Sequence, residues 1–276
     1  MFLLRSPVVL LLSICLNGCA SVDSLPSPSP GATGIKLSEA DAAAIGRKIW
    51  ENECGGTVEG LTSWNAGEDF PSLGIGHFIW YVPGRPGPFQ ESFPPLIAYM
   101  KQKGTPVPVW VTEVKGCPWN SRSEFLKDQG APRMKELRQF LANTVPVQTG
   151  FIVQRLEQAL PKMQAATTGE ADKARLRENF YKMTGSRTGL YSLIDYVNFK
   201  GEGVKPEEKY NGYGWGLRDV LLEMGPSAGG QASANEFSEA AKRVLQRRIK
   251  NAPSDRGESR WSAGWMNRCE SYKRGI

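Results

Sequence analysis

The chain has 276 residues, of which 40% are hydrophobic, 10% aromatic and 22% charged, enough apolar material for at least one sizeable core and too much for a disordered or fibrous polypeptide. Five cysteines are too few and too scattered for a disulfide scaffold, and the single histidine leaves little room for a Cys/His zinc site and only His77 for any histidine-dependent triad. Lysine and arginine exceed aspartate and glutamate by six, which suits an anionic partner such as wall polymer, acidic lipid or nucleic acid without choosing among them.

Residues 1–16 carry one positive charge at Arg5 and then the apolar run Val8 to Ile14, too short for a permanent span and suited to a cleaved secretory signal. Leu16-Asn17-Gly18-Cys19 resembles the bacterial lipoprotein box, in which the cysteine is lipidated and becomes the mature N-terminus. That resemblance implies a signal over 1–18 and a membrane anchor at Cys19. Neither Ala20 nor Ser21 is the aspartate that retains such proteins at the inner membrane, so it also implies an outer membrane lipoprotein facing the periplasm. An ordinary signal cut nearby is the plainer alternative. Residues 19–37 read as a lipidated cysteine and tether: the Pro/Ser stretch Ser24 to Gly31 cannot pack and stays extended. At about 3.1 Å per residue, Ala20 to Ile35 would reach about 50 Å from a membrane, as far as the peptidoglycan layer. Cys54, Cys117 and Cys269 then remain. Glycine-containing turns beside Cys54 and Cys117 favour that pair as the one disulfide an oxidising compartment permits.

Residues 38–276 are expected to form one mostly helical α+β domain. Ser38 and Asp41 form a capping-box variant that opens a helix running to about Glu53, where Gly55-Gly56 stops it. Ile45, Ile49 and Glu53 fall on one stripe, while Glu51 projects away from it. Leu61 to Tyr81 mixes turn residues with β-formers and predicts a small hairpin. Pro94-Pro95 opens a short helix over Leu96 to Met100, and Val107 to Val111 reads as extended. Further helices are expected over 121–143, 147–164, 170–182, 191–199, 217–224 and 235–250, and Trp261 to Tyr272 as a terminal helix packed on the core. Lys242, Arg243, Arg247, Arg248 and Lys250 suggest a solvated basic face, or one turned to anionic polymer.

A carboxyl at the inner end of a helix, on its apolar face, has its charged form disfavoured and can act as a proton donor near neutral pH, as a glycosidase requires. Glu53 stands at such a place, although a capping or arginine-paired role fits its spacing equally. Downstream runs Leu61-Thr62-Ser63-Trp64-Asn65-Ala66-Gly67-Glu68-Asp69-Phe70-Pro71-Ser72-Leu73-Gly74-Ile75-Gly76-His77-Phe78. In this order of features the chain resembles the lysozyme superfamily, particularly phage-type lysozymes. In those a glutamate ends the first helix, and the following hairpin carries a second acid, a hydroxyl and a Gly-Ile-Gly-His run. The resemblance spans about Ile45 to Trp80. It implies a lysozyme-like fold, with Glu53 as general acid, Glu68 as second carboxylate, Ser72 as the hydroxyl that positions water and His77 as a structural histidine. Asp69 competes with Glu68. Here the second acid is Glu where the family has Asp, the hydroxyl is Ser for Thr, and the gap after Glu53 is longer.

Tyr210 to Gly216 interleaves aromatics with glycines, so Tyr213 and Trp215 are candidates to line a sugar cleft, or else plug the core. The expected activity is hydrolysis of the β-1,4 glycan of peptidoglycan, with no cofactor and no metal. The alternatives are a single-glutamate lytic transglycosylase, which leaves anhydro sugars, and a non-catalytic peptidoglycan-binding lipoprotein. Nucleic acid is disfavoured as a partner because the signal sends the chain to the wrong compartment.

Overall fold

The computed structural model describes residues 34–276, so the signal, Cys19 and most of the tether lie outside the described residues. Among the described residues the protein is mostly helical with two small antiparallel sheets, and it divides into two compact units, 34–158 and 159–275.

The first unit opens with α1 (Glu39–Cys54). The Ser38 hydroxyl accepts the Asp41 amide at 3.1 Å, and Gly55 closes the helix in the left-handed region at φ 65°. A 3-10 turn at Glu59–Leu61 leads into a three-stranded meander rather than a simple hairpin: β1 (Thr62–Ser63), β2 (Ser72–Leu73) and β3 (Phe78–Ile79). Register sets Leu73 opposite Thr62 and Phe78, and Ser72 opposite Ser63 and Ile79. Strand alternation therefore gives the sheet a Leu73/Phe78 face and a Ser72/Ile79 face. Leu61, Leu73, Ile75 and Phe78 are fully buried, each contributing about 1.5–3 kcal/mol by leaving water. The other face borders a cluster of Phe70, Ile79, Tyr81 and Phe89.

Four helices and the start of a fifth follow: α2 (Phe93–Gln102), α3 (Val109–Glu113), α4 (Arg122–Lys127), α5 (Pro132–Asn143) and α6 (Val145–Ala165). Two expectations fail here. Val109–Glu113 is helical, with Pro108 as its N-cap, where an extended segment was expected. The single helix expected over 121–143 is two, parted by a 3-10 turn at Asp128–Gly130, because Pro132 cannot donate to a continuing ladder and instead starts α5. The expected Cys54–Cys117 disulfide is also absent. Both thiols are free and buried, and each donates to its own carbonyl, Cys54 to Gly74 at 3.6 Å and Cys117 to Trp119 at 3.5 Å.

The second unit takes in the end of α6, then α7 (Glu170–Thr184), α8 (Arg187–Lys200), α9 (Leu217–Glu223), α10 (Gln231–Asn251) and α11 (Ser262–Ser271). α10 packs against α8, α9 and α11, burying Phe237, Ala241, Val244 and Leu245. Of the expected terminal helix, Tyr272 is buried and Arg268 is ion-paired, but Trp261 is 48% exposed and lies outside the core. The unit also holds a second sheet that the expectation of one early β element missed: β4 (Lys209–Tyr210) and β5 (Tyr213–Gly214). Asn211 and Gly212 join them at φ 51° and 82°, the pair of positive angles that a two-residue hairpin turn needs.

Candidate functional site

Glu53 ends α1 and is half-buried. Its neighbour Cys54 ties the helix end to the Gly74–His77 turn through the thiol contact to the Gly74 carbonyl. The Cys54 thiol is pushed up to about 12, first by burial and then by the Glu53 carboxylate beside it. Two further bonds fix the turn: the Gly74 amide donates to the Leu61 carbonyl at 2.8 Å, and the Ile75 amide to Gln148 Oε1 on α6 at 3.0 Å.

Gly74 combines φ 66° with close approach. A Cβ there would lie 2.3 Å from Gln148 Oε1, so only glycine fits the conformation and the contact together. Gly76 is covered by the Phe78 ring, which a Cβ would meet at 2.6 Å. His77 closes the turn at φ 48°, an uncommon angle for a residue with a Cβ. Its imidazole has no hydrogen-bond partner among the described residues.

Ser72 is buried on β2, on the sheet face bordered by the Phe70–Tyr81 cluster. Glu68 is half-buried in the β1–β2 loop, and its carboxylate accepts from Asn65 Nδ2 at 3.1 Å. The loop is pinned by the buried Trp64, whose indole donates to the Glu68 carbonyl at 2.7 Å and whose ring meets Phe125 edge-on. Burial raises the Tyr81 phenol, and the charges of Glu91 and Glu68 add to the rise, which sets Glu68 near Tyr81. Asp69 beside it is exposed. The first unit thus joins Glu53 to the Gly74–His77 turn, and gathers Glu68 and Ser72 around the Phe70–Tyr81 cluster.

Two residues of this region escaped the sequence reading. Gln148, fully buried, accepts from Ile75 across 73 positions of sequence, and its own amide donates to Leu141. Arg138, 8% exposed, donates to Thr62 Oγ1 at 2.8 Å and to the Gln129 carbonyl at 2.9 Å. Desolvation lowers its pKa, with Glu59 opposing. Only a polar residue at a buried helix position could have signalled either one.

Tyr213 and Trp215 lie in the second unit. Tyr213 is 53% exposed, with the Arg247 guanidinium 5.5 Å from its ring centroid. Trp215 is buried, with Tyr210 against it at 4.5 Å and Arg248 over its ring at 4.0 Å, so it fills the core rather than offering a free face. The expected solvated basic face is mostly paired: Lys242 with Glu239 and Glu270, Arg243 with Glu223 and Glu236, Arg247 with Glu223, and Arg248 with Glu258.

A cavity of about 650 Å³ opens beside the other end of α1, among Ser38, Glu39, Tyr99, Lys103 and Glu157. With Glu39 and Glu53 fourteen residues apart on one helix, it stands about 21 Å from the Glu53 end. Among the described residues no cluster of three or more His, Cys, Asp or Glu could hold a metal ion, and no helix is long and apolar enough to cross a membrane. No protein-family model, curated protein or solved structure was found to match the chain.

Proposed function

We propose that this protein is a lysozyme-like glycoside hydrolase of peptidoglycan, held at the periplasmic face of the outer membrane by a lipid at Cys19. The observation that carries the reading is the junction of the Glu53 helix end with the Gly74–His77 turn through Cys54. It brings the residue next to the half-buried Glu53 against a glycine-built turn whose one histidine has no side-chain hydrogen bond among the described residues. Glu53 would protonate the leaving glycosidic oxygen, and Glu68, or Asp69, would activate water or steady the oxocarbenium-like transition state with help from the Ser72 hydroxyl.

The test is a digest of purified peptidoglycan followed by mass analysis of the soluble fragments. Wild type is expected to release reducing ends. Glu53→Gln keeps shape and removes the transferable proton, so the rate should fall by about 10²-fold or more, while Glu51→Gln stays near wild type. No release by wild type would leave the non-catalytic wall-binding reading.

A second reading has its own observation. The Glu68 carboxylate is engaged by Asn65 of its own loop, which favours a lytic transglycosylase that relies on Glu53 alone. Anhydro-ended fragments, unaffected by Glu68→Gln and Asp69→Asn, would establish that reading in place of hydrolysis.

A further inference from the structure

The second unit carries a cluster of charge that neither acid of the proposed reaction uses. Lys200, the last residue of α8, places its Nζ 3.4 Å from the Trp265 ring centroid and 4.0 Å from that of Phe199. It has no hydrogen bond and no ion pair among the described residues. Two guanidiniums lie over the same rings, Arg248 at 5.0 Å from Trp265 and Arg268 at 4.5 Å from Phe199.

Both guanidiniums already have partners. Arg268 grips the buried Asp195 through Nε at 2.8 Å and Nη2 at 2.9 Å, and Arg248 grips the buried Glu258 through Nε at 2.8 Å and Nη2 at 2.7 Å. Arg248 Nη1 is left with no partner among the described residues. With Lys200 charged, three cations face two carboxylates, and one negative charge is missing. Arg248 also covers Trp215, whose hairpin presents the exposed ring of Tyr213, a flat apolar face of the kind a pyranose stacks on.

We propose that Lys200 and the Nη1 edge of Arg248 form an anion site in the second unit that takes the carboxylate of an acidic glycan. That carboxylate is free on a lactyl-bearing wall sugar whose stem peptide has been cleaved away, and neutral chitin has none. The choice of a glycan as its bearer rests on the wall-polymer reading above.

The site is proton-coupled. Burial, and then the charge of Arg248, bring Lys200 down to about 6, so near pH 7 most molecules hold an uncharged amine, which the arriving anion must recharge. The groups that face it are Arg248, Arg268, Cys269, Glu258 and Asp195. The two guanidiniums are engaged by Glu258 and Asp195, and the Cys269 thiol is pushed up to about 12 by burial. Burial pulls Glu258 up, but Arg248 and Tyr210 outweigh it and hold Glu258 below the usual carboxylate range. Asp195 stays locked to Arg268. Only the protonated fraction binds, so affinity for an acidic sugar should fall about tenfold from pH 5 to pH 7.

The experiment is calorimetric titration of the full chain carrying Glu53→Gln with N-acetylglucosaminyl-N-acetylmuramic acid and, for comparison, chitobiose. The acidic disaccharide is expected to bind more tightly at pH 5 and to lose its advantage by pH 7, while chitobiose is indifferent to pH. Lys200→Met should abolish both the preference and the pH dependence; Lys200→Arg, always charged, should keep the preference at both pH values. Circular dichroism checks that each variant is folded, and Lys200→Arg decides alone should Lys200→Met not fold. Equal affinity for the two sugars, binding of neither, or a preference that survives Lys200→Met overturns the proposal. No catalytic step enters the measurement, so its failure leaves the digest result standing, and an inactive wild type in the digest leaves the binding result standing.

Discussion

The Gly74–His77 turn and the Asp195–Arg268 pair both put polar groups out of water, by different means. In the first unit the work falls to the backbone: a tight turn, two glycines too crowded to carry a Cβ, and amides satisfied by Leu61 and Gln148. In the second unit side chains satisfy side chains. Asp195 accepts from Arg268, from Tyr272 at 2.6 Å and from Tyr191 at 3.3 Å, a full complement for a buried carboxylate. A backbone-built site tolerates loss of one side chain but not of its conformation. A charge-built site tolerates small backbone shifts but not loss of one partner.

That contrast can be broken from either side. The largest effect should come from Asp195→Ala, which removes the buried carboxylate that the half-buried Arg268 and the hydroxyls of Tyr272 and Tyr191 donate to, and should cost about 3–5 kcal/mol in urea unfolding of the second unit. A loss under about 1 kcal/mol would show that water replaces the carboxylate and that the charges are not the frame. Next comes Gly74→Ala, where a strained φ and a 2.3 Å clash with Gln148 combine; about 2–3 kcal/mol is expected, read by thermal melting.

Lys200→Met has an effect shaped by pH. The folded state holds Lys200 at about 6 against an ordinary 10.5, so between those values the unfolded chain binds the extra proton and wild-type stability rises with pH; below about 6 both states are protonated and the slope vanishes. Removing the amine should therefore raise the melting temperature at pH 7, with the gain shrinking as pH approaches 10. A gain that does not change with pH would mean the amine is solvated in the fold. The smallest effect is His77→Gly, which relieves the positive φ and should stabilise by up to about 1 kcal/mol, since the imidazole has no hydrogen bond among the described residues to lose. Destabilisation would show that the ring packs as part of the turn.

Local signals were legible in the sequence and distant pairings were not. Ser38, Asp41 and Gly55 mark the ends of α1 because capping is a contact between near neighbours. Glu53 and the Gly74–His77 turn could be nominated from order alone, though the thiol contact that joins them could not. Asn211-Gly212 is a hairpin signal, but the flanking strands are only two residues long and leave no alternation to read beside it. Val109–Glu113 misled through its β-branched valines, whose strand preference gives way in a five-residue helix started by Pro108. Nothing in a linear reading relates Asp195 to Arg268, or Ile75 to Gln148, since each pair is 73 residues apart and meets only through tertiary packing. The same blindness made the α10 cations look free when most face carboxylates on other elements.

Cys54, Cys117 and Cys269 are all reduced and sealed, each pushed up by burial to about 12. Burial disfavours the thiolate, the form that attacks a disulfide, at all three, so once folded the chain is nearly inert to disulfide exchange. Before folding the same thiols are ordinary and exposed. For a chain exported to an oxidising compartment, this turns biogenesis into a race: collapse around the Cys54 and Cys117 carbonyl contacts must outrun the oxidases that would otherwise cross-link a thiol the native core needs free. Were the chain exported as proposed, fast local closure around Cys54 and Cys117 would protect these thiols, whatever the stability reached afterwards.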